Sequence, residues 1–509
     1  MSFVTKLSSL DPGLLGQIRQ DCHLKEKYNP FANKSRYHKP EPKRCRVWRE
    51  DPVNDLIYLP MAYASKLYQT PLVNKCRTYP KITPFAFQGQ LRDYQEEVIA
   101  EARKRYATNS GCFYNVFCSF GKTVVGIYSA CRFSEMYQVP TLILHPRNII
   151  GDSWIGSALA FSNASIFVYG SGYVCSQYHP CDGSVPGKIY CTARKHVCHL
   201  HHWNKQYHFH PTEDGEPLPG TQIYIACIDS FHQIKSTVLE SIGHLVIDEA
   251  HMFCTDARIQ KLLMVSPLAL TVLTATYDRT DGLNKALDLF VGEDRIYRIS
   301  SKEFYVIQYH TRYIGVSEKE KNYQDLIKNL AANEERNNEI IQFVLANPQE
   351  KIGILCLHVE RAKKLADMID AIYASYGWPN RAGRLYGTTK KNEKYTDSNV
   401  IVGTYSKIGV GWDEKESCAD WNGKRINMAI LADSTKQIEQ IAGRFFRAEV
   451  PIIIEFVDQD NQNGMLLKQS KSREKWYVSR NGVVIKDITG PFCWEQWGPM
   501  LIERAKNGG

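Results

Sequence analysis

Phe117-Cys118-Ser119-Phe120-Gly121-Lys122-Thr123 is the stretch whose reading decides the fold of this chain. An apolar run, Cys112-Phe113-Tyr114-Asn115-Val116-Phe117, leads into it, and Val124-Val125-Gly126-Ile127-Tyr128-Ser129-Ala130 follows with helical spacing. Strand, tight turn, Gly-Lys-Thr and helix are the layout of a phosphate-binding loop. In such a loop backbone N–H groups face a polyphosphate, the lysine reaches its outer phosphates and the threonine hydroxyl holds Mg²⁺. Cys118, Ser119, Phe120, Gly121, Lys122 and Thr123 are therefore the expected nucleotide cradle, and Thr123 a Mg²⁺ ligand. Val116 stands where the pattern usually opens with Gly, and Ser119 must accept whatever φ the turn imposes. Gly-Lys-Thr also arises by chance on surface helices, so its meaning depends on its surroundings.

Those surroundings alternate apolar runs with amphipathic segments. Thr141–Leu144, Ile223–Ala226, His244–Ile247 and Leu270–Leu273 form one series; Ile352–Leu355, Asn399–Val402, Met428–Leu431 and Ile452–Glu455 form another. Helical segments such as Lys321–Ala332 and Arg361–Ile372 separate them. Near-continuous strands alternating with helices imply parallel sheets covered on both faces, and two series imply two α/β domains joined near 300–320. The expected divisions are an accessory region over 1–85, a first domain over 86–305 with an insertion at about 171–220, a second over 306–467, and an extension over 468–509.

At the end of one apolar run stands Asp248-Glu249-Ala250-His251. Parallel sheets gather functional groups at the carboxyl ends of their strands. Asp248 is expected to complete the Mg²⁺ shell, and Glu249 to orient or deprotonate an attacking water. Capping of the next helix is the plainer account of the two acids. Upstream, the Gln95 amide suits a purine edge and the Arg92 guanidinium a purine face, although Glu96 and Glu97 also suit a simple helix start. Near the end of the second domain, Gln440, Arg444 and Arg447 fall at i, i+4 and i+7, on one helical face, with Gly443 between. Two arginines aimed at a γ-phosphate would act as arginine fingers, and ordinary surface arginines are the alternative.

Taken in order, Gln95, Gly121-Lys122-Thr123, Asp248-Glu249-Ala250-His251, Thr274-Ala275-Thr276, Gly409-Val410-Gly411-Trp412-Asp413 and Gln440…Gly443-Arg444…Arg447 resemble the ordered motifs of superfamily 2 helicases of the DEAH type, over roughly 86–450. The Cys118-x-x-Gly-Lys-Thr loop and the tail Gln469-Ser470-Lys471-Ser472-Arg473-Glu474-Lys475-Trp476-Tyr477 are similar to the transcript-release helicases of poxviruses and their counterparts in other large cytoplasmic DNA viruses, asfarviruses included. Ser119, where helicase loops usually carry Gly, and His145-Pro146-Arg147, in the usual Ia position, depart from that pattern.

The resemblance implies two RecA-like domains in tandem and ATP hydrolysis with Mg²⁺, coupled to 3′→5′ stepping on DNA or RNA, single- or double-stranded. Under it His251, Gln440, Arg444 and Arg447 join Glu249 in catalysis, while Gly411 and Asp413 contribute to the nucleotide site. Thr274 and Thr276 then couple that site to the strand, which Arg147, Ser230, His358 and Thr404 contact. It implies a role in viral transcription, with viral RNA polymerase or transcription factors as partners, in the host cytoplasm or virion, the nucleus left open. Movement on a duplex without strand separation and a nucleic-acid scaffold without turnover are the rival readings.

Composition agrees without deciding. The formal net charge of +9 over 509 residues permits a polyanion partner without demanding one. No apolar run approaches the ~20 residues of a membrane span. Many of the 15 cysteines lie in apolar runs, as reduced thiols do. The insertion differs, holding Cys175, His179, Cys181, Cys191, His196, Cys198, His199, His201, His202, His208 and His210. Cys175, Cys181, Cys191 and Cys198 are the preferred ligands of a structural Zn²⁺, with His196 or His199 as substitutes, against a His-rich loop with free thiols. The N-terminal Arg44, Arg46 and Trp48 suit either nucleic-acid contact or a packed-on extension, as does the basic, aromatic C-terminal tail.

Overall fold

Both series of apolar runs fold as strands. The computed structural model describes residues 2–27, 42–70, 78–170, 176–178, 190–191, 196–197, 209–211, 216–279, 281–315, 323–379, 381–387, 398–408, 414, 418–435, 438, 447–460, 464–486, 488 and 490–506. The chain divides into two units, Met1–Arg298 and Ile299–Gly509.

In the first unit the strands are β1 (Gly111–Val116), β2 (Thr141–His145), β3 (Ile166–Tyr169), β4 (Ile223–Cys227), β5 (His244–Ile247), β6 (Ala269–Thr274) and β7 (Ile296–Arg298). They pair in the order β3-β4-β2-β5-β6-β1-β7, all parallel. Every residue of β1, β2, β4, β5 and β6 is buried. Burial on both faces explains why these runs read as continuous rather than alternating hydrophobic. The helix α1 (Asp93–Asn109) leads into β1, and α2 (Lys122–Tyr137) and α3 (Asn148–Phe161) lie in crossovers that parallel pairing requires. Adjacency of β5, β6 and β1 sets the carboxyl ends carrying Asp248, Thr274 and the phosphate loop side by side.

The region before residue 86 packs onto this unit. Cys22, Cys45 and Val47 join the same hydrophobic cluster as Phe253, Cys254 and Ile259. Arg46 forks Asp256 through Nε and Nη2 at 3.3 and 3.1 Å, and the Trp48 indole N–H donates to Glu50 at 3.2 Å. Of the three residues offered to nucleic acid, only Arg44 is left exposed without a described side-chain partner. The insertion begins by lengthening the sheet: Ser176–Tyr178 pairs antiparallel with β3, and Phe209–Pro211 with Ser176–Tyr178.

The second unit holds β8 (Phe304–Gly315), β9 (Ile352–Cys356), β10 (Gly383–Leu385), β11 (Val400–Thr404), β12 (Met428–Leu431), β13 (Ile452–Asp460) and β14 (Gly482–Ile485), ordered β10-β11-β9-β12-β13-β8-β14 and again all parallel. The fold is thus two RecA-like α/β units in tandem. The unit boundary lies at Arg298, not at 305, because β7 pairs with β1 before the chain enters β8. The helix α4 (Met465–Val478) starts ahead of 468 and packs on β13 within the second unit, so the tail is no separate extension there.

Two buried histidines give the first unit a pH response. His244 is fully buried between the Thr141 hydroxyl (3.1 Å) and the Thr271 hydroxyl (2.8 Å), and burial pushes its pKa down to about 3. His145, with Nδ1 2.9 Å from the Arg147 carbonyl, is pushed down by burial to about 4. Both are neutral when folded, and the unfolded chain binds protons first. Stability is therefore present above the unfolded value near 6.5 and is lost as pH falls toward 3–4. At pH 5 each histidine should cost about 2 kcal/mol. Urea unfolding at pH 7 and pH 5 checks this: His244→Asn should flatten the slope between them, and an unchanged slope would refute it.

Candidate nucleotide site

The loop after β1 turns tightly enough to need two left-handed residues. Ser119 has φ +71° and Gly121 φ +90°. Glycine would suit Ser119's position better, and strain of this kind costs on the order of 1 kcal/mol or more. A Cβ at Gly121 would sit 2.4 Å from Gln95 Nε2, so only glycine lets that amide approach. Gln95 uses the approach to donate to the Phe120 carbonyl at 2.9 Å, while its Oε1 accepts from the Arg92 N–H at 3.0 Å. Both ends of the amide are engaged and the residue is buried. The expectation that Gln95 reads a purine edge is therefore replaced, in this conformation, by a hold on the loop. Arg92 is exposed, and its Nη1 donates to the Tyr94 hydroxyl at 2.6 Å. Tyr94, Phe117 and Phe120 pack ring on ring behind the loop, at 5.0–6.4 Å between centroids.

Lys122 and Thr123 open α2, half-buried, and Cys118 is half-buried beside them. Across the strand ends Asp248 is buried, with Oδ2 accepting from the Trp154 indole N–H at 2.9 Å and Oδ1 from the Glu249 N–H at 2.9 Å. Burial raises its pKa to about 6, the Glu249 charge adds to the rise, and the positive field of Lys122 opposes it. Glu249 takes φ +48°, and its Oε2 is buried without a hydrogen-bond partner. An unsatisfied buried carboxylate oxygen beside a lysine field is a group in want of a ligand. The acids and the Gly121 cradle fit Mg²⁺ and a polyphosphate.

His251 links the acids to the next strand. Its Nδ1 lies 3.6 Å from Glu249 Oε2, 2.9 Å from Thr274 Oγ1 and 3.1 Å from Thr276 Oγ1. Thr274 Oγ1 accepts from the Thr276 N–H at 3.2 Å. Burial lowers the histidine's pKa, outweighing the pull of Glu249, so the ring is neutral here at neutral pH. Glu249, His251, Thr274 and Thr276, named separately from the sequence, form one connected set.

Trp154 was not legible in the sequence, since nothing local marks an indole on α3 as a partner of an acid on β5. It reaches Asp248 past Gly126, where a Cβ would come within 2.5 Å of its ring. Trp154→Phe removes the donor but not the ring. It should destabilise the first unit by about 2–4 kcal/mol, from a lost bond to a carboxylate plus lost volume. A loss below about 1 kcal/mol in urea titration would show that the indole does not hold Asp248.

The remaining expectations fare unevenly. Ser230 is fully buried, so no strand reaches its hydroxyl unless the turn Ile228–Gln233 opens. Thr404, at the end of β11, is also buried, with Oγ1 3.1 Å from Ser406 Oγ. Arg147 is exposed and His358 half-buried, each at the N-terminal cap of a helix. Gly411, Asp413, Gln440 and Arg444 lie outside the described residues, while Arg447 is described and half-buried. Of the zinc set, Cys175, Cys181 and Cys198 lie outside the described residues, and Cys191 stands opposite His196 across two short antiparallel strands. Among the described residues no group of three or more His, Cys, Asp and Glu could hold a metal ion, so Zn²⁺ lacks support there.

Residues 88–279 match the family described as the type III restriction enzyme res subunit. Over 95% of its length the chain is 25% identical to a protein designated a helicase in Invertebrate iridescent virus 6, covering 99% of that protein. It is 22% identical, over 83% of its length and 74% of the relative, to a protein designated an ATP-dependent RNA helicase in Acanthamoeba polyphaga mimivirus. The S. cerevisiae protein Dbp5, solved with RNA and ADP-BeF₃, superposes with a TM-score of 0.50 at 11% identity, over 81% of this chain and 93% of that one.

Proposed function

We propose that this chain, an ATP hydrolase of the superfamily 2 helicase type, is a motor that draws itself 3′→5′ along a nucleic-acid strand during viral transcription, at transcript release or elongation. The observation that carries the motor reading is the connected set Glu249–His251–Thr274–Thr276 beside the phosphate loop. It sets the hydrolytic carboxylate 3.6 Å from a histidine that is itself hydrogen-bonded into a second strand end, a neighbour that a plain nucleotide-binding site would not need. The viral relatives designated helicases support the motor reading, while the transcriptional setting in the host cytoplasm rests on the resemblance of the tail to poxvirus transcript-release helicases.

In this reading Lys122 and the backbone of Cys118–Thr123 bind the phosphates, and Gln95 keeps the turn in shape. Thr123 and Asp248 would hold Mg²⁺, which neutralises charge on the phosphates when bound. Glu249 takes the proton of the attacking water. Arg447 would supply positive charge to the transferred phosphate, with Gln440 and Arg444 as its expected companions. Gly411 and Asp413 remain expected partners of the nucleotide. Arg147 and His358 remain candidates for contacting strand phosphates, which give affinity without sequence reading.

ATP turnover with and without single-stranded DNA, duplex DNA and single-stranded RNA tests the proposal. Stimulation by at least one polymer is expected, and Lys122→Ala should abolish it. Turnover that no polymer stimulates, or that survives Lys122→Ala, ends the motor reading. Displacement of a paired strand, assayed beside displacement of a triplex strand, distinguishes a helicase from a duplex translocase. Metal content of the purified chain decides the insertion's zinc separately.

A further inference from the structure

Glu249 carries its carboxylate on a left-handed backbone, φ +48°, and such strain persists only where the surroundings over-determine it. Directly after it the chain makes the short turn Ala250–Phe253, closed by the Met252 N–H donating to the Glu249 carbonyl at 2.9 Å. Arg279 Nη1 donates to the His251 carbonyl at 2.6 Å, and Arg258 Nη1 to the next carbonyl, that of Met252, at 2.8 Å. Consecutive carbonyls of one turn are thus gripped by guanidinium groups from two different elements.

Each arginine is itself aimed by an acid. Arg279 lies in the segment that follows β6, past Thr274 and Thr276. Its Nε and Nη2 donate to the Asp281 carboxylate at 2.9 and 2.5 Å, and Asp281 Oδ1 also accepts from the Leu283 N–H at 3.1 Å. Arg258 belongs to the short helix Asp256–Leu262, and its Nη2 lies 3.5 Å from Asp229 Oδ1 in the turn Ile228–Gln233. The region before residue 86 backs both: the Lys27 N–H donates to the Asp281 carbonyl at 2.9 Å, and Arg46 forks Asp256 at the head of the helix that carries Arg258.

We propose that Arg279 and Arg258 are positioning residues: by holding the His251 and Met252 carbonyls they fix the turn that keeps Glu249 in its strained conformation and its carboxylate in place for the attacking water. This deepens the hydrolase assignment and rests on Glu249 acting as the base. His251 is then held twice by the segment after β6, through its ring to Thr274 and Thr276 and through its carbonyl to Arg279. A planar guanidinium can satisfy an acid with one edge and a carbonyl with its remaining donor, which a point-like ammonium does not reproduce.

Arg279→Ala would leave Asp281, whose side chain is 11% exposed, without its cation and so threatens the fold itself. Two gentler variants carry the test. Arg279→Lys keeps a charge for Asp281 without the second reach, and Arg258→Met removes the donors while keeping the bulk of the side chain. Single-turnover ATP hydrolysis, followed with and without single-stranded DNA, reads the chemical step whether or not a polymer stimulates it, so failure of the motor reading shows separately. Each variant should lower the rate about tenfold, as small misplacements of a reacting group do, with nucleotide affinity changed by less than about twofold. In a Glu249→Gln background each should lower the rate by less than about twofold, because the group they position is gone. A merely structural role would shift the urea midpoint and lower the rate equally in both backgrounds. Equal falls in the two backgrounds, no fall in the presence of Glu249, or a loss confined to nucleotide affinity overturns the proposal. If Glu249→Gln alone leaves the rate intact, the assignment of the base fails first and the positioning claim falls with it.

Discussion

Glu249→Gln is expected to keep ATP binding and to lose about 10²–10⁴-fold in kcat, the range over which a positioned general base contributes. The substitution is nearly isosteric, so the fold should survive and the comparison isolate the charge. Three features of this side chain argue for so large an effect. Its backbone holds φ +48°, a conformation a non-glycine residue adopts only when its surroundings impose it, and such strain gathers at functional sites. Its Oε2 is buried with no hydrogen-bond partner, leaving a lone pair for a water proton. The imidazole 3.6 Å away, His251, is held neutral by burial and so does not quench it. A capping role predicts the opposite outcome, since glutamine caps and hydrogen-bonds well. Single-turnover ATP hydrolysis at saturating nucleotide decides between them, and a fall of less than about fivefold would remove Glu249 from the chemistry.

The second large effect belongs to the other unit. Arg447→Ala should lower polymer-stimulated kcat by about 10³ or more, the low end of what an arginine finger contributes, while nucleotide affinity changes far less. The difference follows from where charge builds: the guanidinium matters most when negative charge has moved onto the departing phosphate. Arg447 is half-buried, so its position is set by the protein and not by solvent alone. Arg447→Lys should recover little, because a point charge does not reproduce a planar fork. Parallel measurement of kcat and of nucleotide affinity checks this. An effect confined to affinity would make Arg447 a ground-state contact, and an effect below tenfold would make it an ordinary surface arginine.

How far the chain could be read before folding is clear from particular residues. The runs at Thr141, Ile223, His244 and Leu270 announced strands because both faces of a parallel sheet are covered, which erases alternation. Their parallel order also followed, since helical segments stand between them. Asp248, Glu249 and His251 could be placed at a strand end from the same rule. Ser119's need for a left-handed φ was visible as a missing glycine and is met at +71°.

Other residues were misread because their partners are distant in sequence. Gln95 looked free to read a base, but its amide is engaged by Phe120, 25 residues on. Ser230 looked available at a strand end and is sealed inside a turn. Trp154 gave no signal, because its meaning lies in an acid 94 positions away. Arg473 stood in a tail suited to either packing or nucleic-acid contact, and Glu455 and Ser434 decide for packing by occupying its guanidinium inside the protein.

Amino-acid order alone determined that this chain builds two parallel sheets and that one carries a phosphate loop beside paired acids. Periodicity and turn chemistry are local properties, and strand ends collect function by a topological rule that needs no coordinates. Tertiary structure decided which polar groups remain available. Hydrogen bonds between residues dozens of positions apart fix whether a side chain faces a ligand or is already satisfied within the core.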